Sequence, residues 1–282
     1  MLKTYIDEEA INKIFGNQDV RKKYLSKLFE KIGCSDKIAS KKAGAISQIE
    51  STWDYHISKD ILRELFVDSE KYARCKKADV VVDKLIKEWE ELELGELVWP
   101  FSAMNFDQHV HRLNNLNLSE KDKDSVLSAD VIKFRRIKDI NAKRNDYIEY
   151  LIFSSNENII PTFGNRSGVD FYINGMPFDQ KVSKSVGNDF IGKYGENYRE
   201  IAIEHPELVA ISLYENQDEL RFGDESRLLI TYLDDDVTSD DIKKCISKTN
   251  FDKPLEIEFN YFHSKSTYKR HITKCFVILL HK

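Results

Sequence analysis

No apolar run in this 282-residue chain approaches the roughly 20 residues that a bilayer-spanning helix needs. The opening stretch, MLKTYIDEEAINKIF, carries acids where a secretory leader would need an apolar core. Cysteine is scarce. Cys34, Cys75, Cys245 and Cys275 lie far apart in no CxxC pair, which argues against a zinc cluster or a disulfide framework. The chain has no GxxxxGK[ST] loop, no GxSxG elbow and no HExxH helix. It has no internal repeat and no low-complexity tract. The expectation is a cytoplasmic globular protein.

Hydrophobic residues make up 41% and charged residues 32%, a globular and charge-rich balance. The formal net charge is −5, so the whole chain is no polycation. The charge is uneven, however. Residues 21–42 hold eight Lys/Arg against two acids, residues 131–144 six against one, and residues 263–282 five against none. Residues 214–256 run the other way, with twelve acids against six bases. Each basic run alone reads as a solvated face, but three on an acidic chain suggest surfaces that meet phosphates.

The first ~120 residues read as helices by their 3.6-residue period. Asp7 caps one that carries Ile11, Ile14 and Phe15. Others are expected over 20–32, stopped by Gly33, and over 37–53, 59–66 and 79–94. Residues 97–118 read as irregular, with His109 and His111 on one face of a strand and no third metal ligand nearby. Residues 121–124 read as a solvated link. A helix capped by Ser128 or Asp130 follows, and it continues or restarts through 145–153. Short strands are expected at Ile159–Ile160 and, buried, at 208–214 and 227–233. Helices are expected at 187–204, interrupted by Gly192 and Gly195, and at 240–247. The last strands span 255–262 and 272–280, joined by a basic loop over 263–271. The whole is an α+β protein with an α/β core: a mixed β-sheet flanked by helices, behind a helical N-terminal region. The division expected is 1–120 and 121–282.

Residues 167–185, SGVDFYINGMPFDQKVSKS, form the most informative stretch. Val169, Phe171 and Ile173 alternate with Asp170 and Tyr172. Asn174-Gly175 is the signature of a two-residue type I′ turn. With that turn, residue i pairs with 349 − i, and Asp170 comes opposite Asp179. Lys181 shares their face. Like charges set directly opposite destabilise a sheet, and a divalent cation would offset the repulsion.

A helix with an inward Glu, a strand bearing Asp, a hairpin, then Asp179-Gln180-Lys181 and a further helix and strands resembles the PD-(D/E)xK nuclease superfamily. Within it the type II restriction endonucleases are chains of this size. The resemblance covers roughly residues 128–235, and Val169 stands where the eponymous proline would. It implies a restriction-endonuclease-like fold and a catalytic domain over 121–282, with 1–120 serving DNA contact or dimerisation. It implies that Asp170 and Asp179 bind metal and that Glu149 completes the metal shell, with Asp146 as its nearest competitor. Lys181 would orient or activate the attacking water. The implied cofactor is Mg²⁺, replaceable by Mn²⁺, with no organic cofactor. The implied partners are double-stranded DNA and a second copy in a homodimer, with no membrane. Arg166, Lys193 and Arg199 lie near these residues in sequence, and Lys269 and Arg270 lie in the basic loop; all five are candidate DNA contacts. The alternatives are a nonspecific, repair or junction-resolving nuclease, or a DNA-binding module without catalysis.

Overall fold

A computed structural model describes residues 2–91, 103–164, 168–216, 225–234, 237–264 and 267–282. Asp7 accepts a hydrogen bond from Ala10 N and starts α1 (Glu8–Phe15). Asn17 caps α2 (Gln18–Ile32) in the same way, and Gly33 ends it in the left-handed region. The helices α3 (Lys42–Thr52), α4 (Tyr55–Val67), α5 (Glu70–Lys77) and α6 (Asp79–Glu91) follow. The expected helix ending at Leu94 runs past the described residues.

The described part of 97–118 contains a helix, α7 (Ala103–Asn114), rather than irregular chain. Residues two apart on a helix do not share a face. His109 and His111 are therefore not a ligand pair, and His109 Nε2 lies 2.7 Å from Asp130 Oδ2. The expected link at 121–124 lies in the first turn of α8 (Glu120–Ser155), which Ser119 caps. Two segments read as possibly separate are thus one continuous helix.

Next come β1 (Ile159–Pro161), β2 (Phe171–Ile173) and β3 (Met176–Ser183). The interrupted helix appears as α9 (Asn188–Tyr194), a 3-10 turn (Gly195–Asn197) and α10 (Tyr198–Glu204). The apolar run at 208–214 is not a strand. It belongs to α11 (Pro206–Glu215), with Pro206 in its first turn. A short apolar run has no period of its own, so a buried helix and a buried strand look alike. Then follow β4 (Arg227–Tyr232), α12 (Ser239–Ser247), β5 (Leu255–Ser264) and β6 (Thr267–Leu280). The basic stretch over 263–271 is mostly strand rather than loop, because β5 and β6 pair antiparallel almost to their tip.

The six strands form one mixed sheet in the order β1-β2-β3-β4-β6-β5. Pairing is antiparallel from β1 to β3, parallel from β3 through β4 to β6, and antiparallel at β5. Helices cover it, so the α+β reading holds. One face packs Phe171, Ile173, Phe178, Leu228 and Ile230 against Ile148 and Ile152 of α8 and Ile242 of α12. Ile160, Val169 and Tyr172 pack into the cluster built by α1 to α4. That is why every residue of β2 is buried, where alternation alone expects one wet face. Under α11, Ala210 and Tyr214 meet Leu229, Ile257, Phe259 and Cys275.

The N-terminal helices are pinned to the hairpin through glycines. Gly16 sits at φ 63°, and a Cβ there would lie 2.7 Å from Gly164. Phe163 N donates to Ile14 O at 2.7 Å beside it. Leu2 N donates to Gly175 O at 3.1 Å, at the turn between β2 and β3. Among the described residues no helix is long and apolar enough to cross a membrane.

Candidate functional site

The β2–β3 hairpin forms in the expected register: Ile173 pairs with Met176, Tyr172 with Pro177 and Phe171 with Phe178. Asn174 (φ 53°) and Gly175 (φ 81°) supply the two positive φ angles of its turn. Pro177 falls at a non-hydrogen-bonded pair, where β2 asks for no N–H. Past Phe178 the strands part. From Asp179 onward β3 pairs along its other edge with β4, Asp179 lying beside Arg227 and Lys181 beside Leu229.

Asp170 stands where the strands part, one residue outside the ladder. Its N–H donates to Phe178 O at 2.9 Å. Its Oδ2 accepts from Gln180 N at 2.7 Å, so the carboxylate takes the place that the next residue of β2 would have filled. The direct cross-strand pairing of Asp170 with Asp179 is thereby replaced by a looser approach. Their electrostatic coupling survives. Burial pushes the Asp170 carboxyl above its ordinary range, and Asp179 adds to the rise against the Gln180 N–H, Lys71 and Lys181.

Asp179 is 6% exposed, and cations flank it. Lys181 Nζ lies 2.8 Å from Oδ2 and 3.2 Å from Oδ1. Arg227, in register on β4, is wholly buried, with its guanidinium 4.9 Å from the Tyr214 ring. Burial lowers its pKa, while Tyr214, Asp179 and Glu225 hold its charge in place. Sequence reasoning missed Arg227. It heads an apolar strand, but its neighbour on β3 is set by a crossover through three helices, and no local pattern reports that.

Glu149 comes from α8, beside the core residue Ile148. Burial raises its pKa, and its ion-pair partner Lys71 opposes the rise, while Asp170 and Asp146 reinforce it. Asp170, at the end of β2, is thus close enough for its charge to act on Glu149 of α8. Lys71 is the second residue that sequence reasoning missed. It lies on α5, which the pattern did not single out as a helix. Asp146, one turn earlier on α8, is engaged elsewhere: Arg74 Nε lies 3.0 Å from its Oδ2.

Two groupings could hold a cation. Cys75, Asp146 and Glu149 bring one ligand atom each to within 4.8 Å of one another. Burial, with Glu149 and Asp146, pushes the Cys75 thiol up to about 12, so the sulfur keeps its proton. The Cys75 Sγ lies 3.8 Å from Asp146 Oδ1 as a weak donor. Asp170, Asp179 and Glu149 are an all-oxygen set, the donor chemistry of Mg²⁺. They are not drawn within that same distance among the described residues. Two of them bind protons more tightly than free carboxylates do, chiefly because they are buried, with neighbouring carboxylates adding to the rise. The donor chemistry fits the metal, with Lys71 and Lys181 partly filling its electrostatic role.

The expected DNA contacts fare unequally. Arg166 lies outside the described residues. Lys193 is exposed on α9, 5.1 Å from the Tyr194 ring. Arg199 is not free: it grips Asp234 through both terminal nitrogens, Nη2 lying 2.8 Å from Oδ2. Lys269 and Arg270 are exposed on β6, and Arg270 pairs with Glu258. They lie about 20 Å upstream of Cys275, the β6 residue level with Arg227 and Asp179, at about 3.4 Å per residue. They are remote from the carboxylates along the sheet. The basic run on α8 is partly spent inside the protein, since Arg144 is buried 5.3 Å from the Tyr232 ring and Arg136 pairs with Glu88.

No family model, curated protein or solved structure matches the chain.

Proposed function

We propose that this chain is a Mg²⁺-dependent DNA endonuclease that hydrolyses phosphodiester bonds of double-stranded DNA, in its most specific form a type II restriction enzyme of the cytoplasm. The observation that carries the reading is the β2–β3 hairpin, which brings Lys181 onto Asp179 and sets the buried, raised Asp170 carboxyl within the influence of both Asp179 and Lys181. Perturbed carboxylates that share a partly exposed setting are a physical mark of function.

In this reading Asp170, Asp179 and Glu149 hold Mg²⁺. The bound ion would polarise the phosphate and lower the pKa of the attacking water. Arg227, level with Asp179 on β4, sets a positive charge near that carboxylate from within the sheet. The Lys181 side chain is 46% exposed, so its ammonium can turn from Asp179 to hold the attacking water or steady the charge that develops on phosphorus. Symmetric cutting of a duplex calls for two such groups about a two-fold axis, hence a homodimer.

One observation favours a second reading, a DNA-binding module without catalysis. Each carboxylate already has a protein partner: Lys71 for Glu149, Lys181 for Asp179 and the Gln180 N–H for Asp170. A static network of that kind needs no metal. The two readings part on incubation of purified protein with plasmid and phage DNA, in Mg²⁺ and in EDTA. Discrete Mg²⁺-dependent bands support restriction, and a smear supports a nonspecific nuclease. Intact DNA in both Mg²⁺ and Mn²⁺ sinks the catalytic reading.

A further inference from the structure

The C-terminal half of β3 forms one wall of a groove of about 660 Å³, and α11 forms the other. Lys181 belongs both to this groove and to the carboxylate group, so the groove opens beside Asp179. Leu229 of β4 and Leu213 of α11 line it with apolar surface. Ser212 and Asn216 add hydrogen-bonding groups from α11, where Asn216 Nδ2 donates to Ser212 O at 3.1 Å. Lys184 is exposed at the rim and has no carboxylate partner among the described residues.

These features exceed what a phosphate needs. A phosphate is met by a cation on an open surface, as Lys184 alone provides. A concave slot in the usual range for small ligands, roughly 300–1,000 Å³, with apolar sides and amide and hydroxyl groups, suits the flat face and polar edge of a base. We propose that this groove seats one nucleotide of the DNA strand next to the scissile phosphate. The base enters between β3 and α11, and the phosphate lies towards Lys184. The inference rests on the nuclease reading, because that reading places the reacting phosphate at Lys181.

Fluorescence anisotropy on the full chain tests it, in EDTA so that no cutting occurs. The probes are a fluorescein-labelled single-stranded oligonucleotide and a backbone of equal length with every base removed. Wild-type protein should bind the base-bearing probe roughly tenfold tighter, since only that probe can bury a base against Leu213 and Leu229. Ser212→Trp, which fills the groove, should bring both probes to one affinity. Asn216→Leu, a milder change in case the tryptophan variant fails to fold, should reduce the preference severalfold. Lys184→Glu should weaken both probes alike. Equal binding of the two probes by wild type overturns the proposal, as does a full preference in folded Ser212→Trp. Duplex cleavage in Mg²⁺, assayed alongside, separates the two ideas. Cleavage without base preference removes the groove and keeps the nuclease. Base preference without cleavage removes the nuclease and keeps the groove as a nucleotide site.

Discussion

Asp234 and Asp170 are built alike and behave oppositely. Each lies just beyond a strand end, and each accepts a backbone N–H: Lys282 N at 2.9 Å for Asp234, Gln180 N at 2.7 Å for Asp170. The bidentate Arg199 guanidinium, with the Lys282 N–H, holds Asp234 below the usual carboxylate range. Burial and the charge of Asp179 push Asp170 above that range. The hydrogen bond is common to both, so it does not decide the outcome. What separates them is burial and the charge nearby: Asp234 is the less deeply buried and is gripped by Arg199, whereas Asp170 is buried beside Asp179. Asp234 ties Lys282 to α10. Glu149 is raised by burial as Asp170 is, and Lys71 opposes the rise in both.

The sharpest way to break this contrast is at the chemistry. Asp179→Asn and Lys181→Ala should each lower DNA cleavage by about a hundredfold or more while leaving the folded circular-dichroism spectrum intact. Arg199→Ala should leave cleavage unchanged. If all three behave alike, the two regions do not differ in kind.

Removing Lys71 comes next. Lys71→Ala leaves Glu149, 16% exposed, without its cation, and should cost about 2 kcal/mol in EDTA by urea unfolding. Added Mg²⁺ should restore part of that loss. No restoration would remove Glu149 from the metal group.

Arg199→Ala should cost about 1 kcal/mol or less, since the arginine is 38% exposed and solvent screens the pair. Asp170→Asn should do the reverse. The amide oxygen still accepts from Gln180 N, and the repulsion from Asp179 disappears. A gain of up to about 1 kcal/mol in EDTA is expected, together with loss of cleavage. A loss of stability instead would make Asp170 a purely structural cap.

The pH dependence carries opposite signs in the two regions. A carboxyl raised on folding binds its proton more tightly in the native state. The contribution of Asp170 and Glu149 is thus present below their unfolded values, near pH 4, and is lost as pH rises through the raised folded values. Asp234 contributes above its unfolded value and loses that contribution as pH falls through its lowered one. Thermal melts in EDTA should show Asp170→Asn flattening the decline above pH 4 and Asp234→Asn flattening the decline below it. Mg²⁺ should abolish the first slope and leave the second.

Much of the site was legible before the fold. The Asn174-Gly175 turn sets the hairpin register, and the register groups Asp170, Asp179 and Lys181. Their parting at Phe178 was not legible, because there a side chain, the Asp170 carboxylate, and not a backbone carbonyl takes the Gln180 N–H. Glu149 was legible as an inward helical acid, but its choice over Asp146 came from which α5 cation meets each: Lys71 in one case, Arg74 in the other. The run at 208–214 misled because apolar residues on both sides of a segment erase its period. The helix at 120–155 was split because polar residues within it resemble a link, and only its packing along α5 and α6 shows that it continues.

By itself the sequence determined the local geometry: caps at Asp7 and Asn17, the type I′ turn, the β2–β3 register and the α+β class. These follow from backbone preferences and from side-chain periods a few residues long. The tertiary structure alone decided the electrostatics. Lys71 reaches Glu149 from a different helix, and Arg227 comes level with Asp179 across a crossover. Burial beneath α5 and α8 then turns ordinary carboxylates into tight proton binders. Charge acts through space and depends on desolvation, and neither distance nor solvent access is written in the order of residues.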